Sequence, residues 1–443
     1  MTGISGGGDL REWRRSRGWD VPELARQLRR AAYEPVAAHD ALVRMIRAWE
    51  RGDHRPSERY ELLYRKLGLI PTSGNDQPEA NPTRAASQED SDPVRRRTFV
   101  ELTGLSAAAA LLPASPGPRP PLGTEPLALA LTAQMTGTAP EPIQEPPDIA
   151  ALALSVTRAR THYQACRYSE LIARLPRLLA QLDAACDSLG GDRKLRAYAL
   201  AADAYHLAAG ILLKTGDHGL AHLAADRSMT AALASQDSLT VGASARIVTH
   251  TLASSGHLPA AITTARNHRQ HLDRNTKTHT PESLSVYGSV LLRGALAAAQ
   301  HDDRATAHEM LAEAAGAARR LGTDANLRGT AFGPVNAQMH QVNVAVTLGD
   351  AGTAIDLARQ IDPAAIAVTE RKASLLIDVA QAFFQWGKYA QACTALRAAE
   401  QAAPQELAAR APVRTLARNL AALAPPGTRR DAAHLADRIG AYI

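Results

Sequence analysis

At 443 residues the chain is too long for one hydrophobic core and is expected to hold two or three units. Alanine is abundant, aromatic residues make up only 4% and β-branched alternating runs are scarce, which favours helices and argues against a sheet-based fold. The formal charge of +6 suits a polyanionic partner, and its placement says more: 14 Arg and Lys against 10 Asp and Glu put a net +4 in residues 1–69.

The opening MTGISGGGDL has no basic stretch followed by an apolar run, so a secretory signal is not expected there. Residues 10–17 are predicted as a first helix, capped by Asp9 and stopped by Gly18. A second is predicted over 21–30, where the Asp20 cap precedes Glu23 in a capping-box arrangement and Leu24, Ala25 and Leu28 form an apolar stripe. A third, over 38–51, places Ala41, Leu42, Met45, Ile46 and Trp49 on one face, and Gly52 ends it. A fourth, over 57–67, turns Tyr60, Leu63, Tyr64 and Leu67 inward. Outside the stripe of the third helix lie Arg44, Arg47 and Arg51, whose planar forks suit guanine edges or phosphates. Arg14, Arg15 and Arg17 on the first helix are expected at the DNA backbone. For each arginine, the plain alternative is a solvated helix face.

These residues carry a resemblance. Leu10, Arg11, Arg14 and Gly18, then Glu23-Leu24-Ala25 and Leu28, then Ile46 and Trp49-Glu50-Arg51-Gly52, then Pro56-Ser57 and Leu67-Gly68 are similar to the Cro/phage-repressor-like (XRE) helix-turn-helix domain. The resemblance implies a recognition helix just before the Trp-Glu step, which points to Arg44 and Arg47, and binding to double-stranded DNA, commonly as a homodimer on paired half-sites. The family crosses from alanine to tryptophan in about 13 residues. Here Ala25 and Trp49 are 24 apart, with RRAAYEPVAAHD inserted, so a loop replaces the tight turn or the two-helix geometry is altered.

Residues 70–147 read as a linker. Its first part, to residue 93, is rich in Pro, Asn, Ser and acidic residues and is expected to be flexible. The RRRTFVELTGLSAAAALLP stretch resembles a twin-arginine export signal, but a complete domain precedes it, so a short apolar helix over about 98–112 is expected instead. Residues 113–147 read as a second spacer.

From residue 148 to 443 the chain settles into helix pairs with turns near Gly216, Gly256, Asp302, Gly349 and Gly387, a period of roughly 38 to 47 residues. A right-handed stack of hairpins is expected, each burying its stripe on its neighbours. Gly387-Lys388-Tyr389 with Ala392 resembles the tetratricopeptide repeat, and FGPVNAQMHQVNVAVTLGDAGTAIDLA resembles a recurrent segment of actinobacterial, streptomycete-type regulators that join an XRE domain to such repeats. The expected fold is therefore all-α, a helix-turn-helix domain joined by a flexible linker to a tetratricopeptide-like α-solenoid. First helices of the pairs are expected to form the inner wall of a groove. Tyr205, His250, Tyr287, Asn336, His340 and Asn343 are its candidate lining, the last three sharing one helix face; helix capping or bridging is the alternative for each.

No GxSxG, HExxH, Walker or Rossmann pattern occurs, His218 and His222 lack a third ligand, and the Gly6-Gly7-Gly8 run has no strand ahead of it, so no catalysis, metal or cofactor is expected. Cys166, Cys186 and Cys393 are far apart, which suits a reducing cytoplasm. No apolar run is long enough to span a bilayer. Two functions stay open: a transcription regulator whose repeats receive a peptide, a small-molecule signal or a protein partner, and a protein-interaction scaffold without specific DNA binding.

Overall fold

The computed structural model describes residues 7–31, 39–51, 56, 60–61, 63–64, 67, 122–136, 148–275 and 280–442. Among them every regular element is a helix, so the all-α expectation holds, and no helix is long and apolar enough to cross a membrane. The chain divides into two compact units, Met1–Asp92 and Pro93–Ile443.

The first unit contains α1 (Gly7–Ser16), α2 (Val21–Ala31) and α3 (His39–Arg51), with residues 60–61 and 63–64 also helical. Gly18 terminates α1 in the left-handed region at φ 69°, where a side chain would be strained. Asp20 caps α2, its Oδ1 accepting from the Glu23 amide at 2.6 Å. Leu10, Leu24, Leu28, Leu42, Ile46 and Trp49 are buried in one core, and the Trp49 ring meets Tyr60 with centroids 4.9 Å apart. Most of the inserted segment between Ala25 and Trp49 lies outside the described residues, as does the apolar helix predicted over 98–112.

In the second unit, α4 (Glu125–Thr136) stands within the stretch expected to be linker. Its Leu127 and Leu131 are fully buried in the same core as the repeats, and it packs on the helices Tyr168–Ser188 and His218–Ala234. Burying two leucines stabilises this docking by about 1.5–3 kcal/mol each. The spacer expectation for 113–147 is thus corrected: the LALAL run outweighs the flanking prolines.

Seven helical hairpins follow: α5 (Ile149–Gln164) with α6 (Tyr168–Ser188), α7 (Gly191–Thr215) with α8 (His218–Ala234), α9 (Ser238–Ser254) with α10 (Leu258–Asn275), and α11 (Pro281–Gln300) with α12 (Arg304–Leu321). Then come α13 (Pro334–Thr347) with α14 (Ala351–Ala358), α15 (Thr369–Gln385) with α16 (Tyr389–Ala402), a short α17 (Pro404–Ala409), and α18 (Ala411–Leu423) with α19 (Pro426–Arg438). The reversals fall where the sequence places them. Gly216, Gly256, Asp302, Gly349 and Gly387 all have positive φ. The residue after each donates back to a carbonyl five positions earlier, as in Asp217 to Leu212 at 3.0 Å and Lys388 to Phe383 at 2.9 Å.

First helices pack side by side in one layer, second helices form the other, and alanines at the contacts let the layers approach closely. The stack curls until its far part meets its start: α15 packs on α5, and α17 on α7. Between α12 and α13, the loop over 323–333 reaches back to α5 and α9. Its Asn326 and Gln164 side chains exchange hydrogen bonds at 2.7 and 3.0 Å, and Arg328 donates to Asp237 and Thr240. Arg328 and Ala331 both hold φ above 50°, an uncommon state for residues with side chains.

Phe332 locks this loop down, fully buried against the backbone of Gly288. A Cβ at Gly288 would stand 1.9 Å from Phe332 Cζ. Gly288→Ala is therefore expected to destabilise the unit by about 1–3 kcal/mol or more through overpacking. Gly316→Ala, where the nearest foreign atom is a flexible arginine tip at 3.8 Å, is expected to be neutral or slightly stabilising. Equal thermal unfolding midpoints for the two variants would refute the locking contact.

Candidate functional site

Two surfaces carry chemistry, one in each unit. On α3 the inward face is Leu42, Ile46 and Trp49, all buried, which leaves Arg44, Arg47 and Arg51 exposed along the opposite stripe at spacings of three and four. Among the described residues Arg44 and Arg47 make no ion pair. Arg15 and Arg17 are exposed as well. Arg14 is different. Only 8% exposed, it grips Glu50 of α3 with both edges of its guanidinium, Nε to Oε1 at 2.6 Å and Nη2 to Oε2 at 2.9 Å. Its third corner donates to the Trp19 carbonyl at 2.8 Å. The expectation that Arg14 touches the DNA backbone is corrected: the side chain is buried and all three of its nitrogens are engaged within the unit, two of them clamping α1 to α3.

In the second unit, the first helices surround a cleft of about 700 Å³, open solvent at its mouth included. Arg160 and Tyr163 of α5, His206 and Gly210 of α7, and Arg246 and His250 of α9 recur at helical spacing toward it. Arg293 of α11, Glu370 and Arg371 of α15, and Arg328 of the 323–333 loop complete its charged lining. Three of the five arginines have a carboxylate within ion-pair distance: Arg160 has Asp203 at 2.6 Å, Arg371 has Glu370 at 3.5 Å, and Arg328 has Asp237. Arg246 and Arg293 have no carboxylate partner among the described residues.

Arg246 Nη2 donates to His206 Nε2 at 2.7 Å, and since a guanidinium only donates, that ring nitrogen is an unprotonated acceptor. The Nε of Arg246 is fully buried with no partner. Burial, then repulsion from neighbouring arginines, pushes Arg246 down to about 9 and Arg293 down to about 10. The same two causes hold His206 and His250 well below the ordinary histidine value, so both rings are neutral at pH 7.

Beside the cleft, where the stack closes on itself, sits a buried charge cluster. Lys214 of α7 donates to Glu406 of α17 at 2.6 Å and to Glu370 of α15 at 2.9 Å. Arg410 pairs with Glu406 at 2.5 Å, and the Tyr168 hydroxyl donates to the same carboxylate. Burial raises the Glu370 carboxyl, but Lys214, Arg371 and Arg410 outweigh it and hold it well below the usual carboxylate range.

The predicted groove residues separate. His250 lines the cleft. Asn336 is buried in a smaller adjoining recess that shares Val368 and Arg371, with its amide nitrogen unpartnered. His340 is pushed down to about 3, first by burial and then by Arg371 and Arg293, and its Nδ1 meets the Asn336 carbonyl at 3.0 Å. Asn343 donates to Asp378 at 2.8 Å, a bridge between α13 and α15. Tyr205 is corrected from groove to core: it is 3% exposed, its hydroxyl held by Asp183 at 2.9 Å. Tyr287 is likewise not part of the cleft lining, since its hydroxyl donates to Glu313, which Arg269 also holds.

The arginines and the Lys214 cluster are absent from the sequence-based candidates. The available signal was a single arginine or lysine within an alanine- and leucine-rich stretch of a first helix, as in SARIVTH, SVLLRGALAAA and HLAAGILLK. No protein-family model and no curated protein matches the chain.

Proposed function

We propose that the chain is a DNA-binding transcription regulator, its first unit a repressor-like helix-turn-helix domain and its second a tetratricopeptide-like repeat domain that receives a signal in the central cleft. One observation carries this reading: the exposed arginine stripe of α3, Arg44, Arg47 and Arg51, stands opposite the buried apolar stripe of Leu42, Ile46 and Trp49. A helix built this way presents cations to a groove while its other face stays anchored. Arg15 and Arg17 supply flanking phosphate contacts, and two copies of the chain occupy paired half-sites. The work of the repeat domain is recognition rather than chemistry, so the protein acts as a cytoplasmic sensor and not as an enzyme.

Duplex DNA titrated into the full chain at several salt concentrations tests this. Affinity is expected to fall steeply with salt, and replacing Arg44, Arg47 and Arg51 together by alanine is expected to weaken binding at least 100-fold. If all three arginines meet phosphates, the slope falls by about three. Unchanged affinity and slope in that variant would remove α3 as the reading helix. No DNA binding by the intact chain would favour a protein-interaction scaffold instead.

A further inference from the structure

The cleft holds two guanidinium groups, Arg246 and Arg293, with no carboxylate partner among the described residues. Each of the other three lining arginines has a carboxylate within ion-pair distance, so the exception at Arg246 and Arg293 is local. Arg246 is oriented by its bond to His206 and still keeps one buried donor, its Nε, without an acceptor. Arg293 makes no hydrogen bond to any described residue. An unpaired buried donor and two mutually repelling cations destabilise the empty site, and an anion relieves both at once.

We infer that the cleft is the receptor site for a small phosphorylated molecule, whose phosphate oxygens bridge the guanidinium groups of Arg246 and Arg293. The inference deepens the signal-receiving role proposed for the repeat domain and rests on that reading. Phosphate is favoured over carboxylate by count. Two forks offer two pairs of donors, and a phosphomonoester has three terminal oxygens and a charge near −2 to meet them, whereas a lone carboxylate fills one fork. The neutral His250 ring, which has no hydrogen-bond partner among the described residues, adds polar capacity to the wall without further charge. The Tyr163 hydroxyl lies opposite Gly210, where a Cβ would stand 3.1 Å from it. The cleft is too small for a folded partner.

Calorimetric titration of the full chain with inorganic pyrophosphate, at fixed ionic strength, tests the site. Saturable binding at one site per chain is expected, weakened at least tenfold by Arg246→Gln or Arg293→Gln and at least 100-fold by both together. Glutamine removes the repulsion and, at position 246, retains an amide donor for His206, so the double variant is expected to match or exceed the parent's melting temperature, which separates lost binding from lost folding. Binding is also expected to survive alanine at Arg44, Arg47 and Arg51, because those cations belong to the other unit. Succinate, a dicarboxylate, is expected to bind at least tenfold more weakly than pyrophosphate. The inference is overturned by absent saturation, by affinity unaffected in the double variant, or by succinate binding equally well. If pyrophosphate fails while the chain still binds DNA through α3, the ligand inference alone falls. Pyrophosphate binding without DNA binding supports the site and removes the regulator reading.

Discussion

Glu406→Ala is expected to destabilise the repeat domain by about 3–5 kcal/mol, because it leaves a buried cation without its closest partner. Lys214 is 8% exposed, and its ammonium meets Glu406 at 2.6 Å and Glu370 at 2.9 Å. Removing Glu406 also strands Arg410 and the Tyr168 hydroxyl, both of which converge on that carboxylate. The three elements joined are distant in sequence: Lys214 lies 156 residues from Glu370 and 192 from Glu406. The cluster therefore ties the beginning of the stack to its end, and its loss should loosen the contacts of α15 with α5 and of α17 with α7. Acid provides a second view of the same tie. The Glu370 carboxyl is held well below its unfolded value, so its contribution is fully present above about pH 4.3 and is lost as pH falls through the folded value. Urea unfolding followed by far-ultraviolet circular dichroism, at pH 7 and in steps from pH 5 to 3, is the measurement. The parent should lose stability across that acid range, and Glu370→Gln should lose less. A loss below 1 kcal/mol for Glu406→Ala at neutral pH would mean that the ends of the stack are held by apolar packing alone.

The hairpin turns were the most legible part of this fold. A left-handed residue between two helices favours glycine or a short polar side chain, so Gly216, Gly256, Asp302, Gly349 and Gly387 announce themselves by type, whereas Cys166 and Gln236 take the same conformation without that signal. The α3 stripe was legible for a similar reason, since burial of Leu42, Ile46 and Trp49 follows directly from their period. What the sequence hid are pairings across long separations. Arg14 and Glu50 are 36 residues apart, and each looks like an ordinary surface charge until α1 is laid on α3. Tyr205 and Tyr287 share the first-helix positions that the groove argument selects, yet carboxylates from other helices, Asp183 and Glu313, capture their hydroxyls. Arginines on alanine-rich helices read as solvated for the same reason. Only the curl of the stack brings Arg246, Arg293 and Arg371 to one cleft. Local rules thus give the elements and their buried faces, whereas the charged site depends on curvature, which no single hairpin encodes.

Curvature has no bearing on the first unit, where the second large effect is expected: Arg14→Ala should abolish the proposed DNA binding by unfolding that unit, not by removing a contact. The substitution leaves Glu50, 6% exposed, with only the long 3.7 Å approach of Arg11 Nε among the cations of the described residues, and it also frees the Trp19 carbonyl. Breaking a buried bidentate pair costs about 3–5 kcal/mol. At about 0.05–0.15 kcal/mol per residue, a unit of this size holds on the order of 3–10 kcal/mol in total. The loss is thus comparable to the whole. Lysine cannot replace the fork, so Arg14→Lys should recover only part of the stability. Tryptophan emission gives a direct readout, because Trp13, Trp19 and Trp49 belong to this unit and only Trp386 to the other. Arg14→Ala is expected to shift that emission to the red and lower its urea midpoint, whereas Arg44→Ala and Arg47→Ala leave both unchanged while weakening DNA binding. If Arg14→Ala abolished DNA binding with emission and midpoint intact, the guanidinium would have to leave Glu50 for the DNA in the complex, and Arg14 would return to the contact surface.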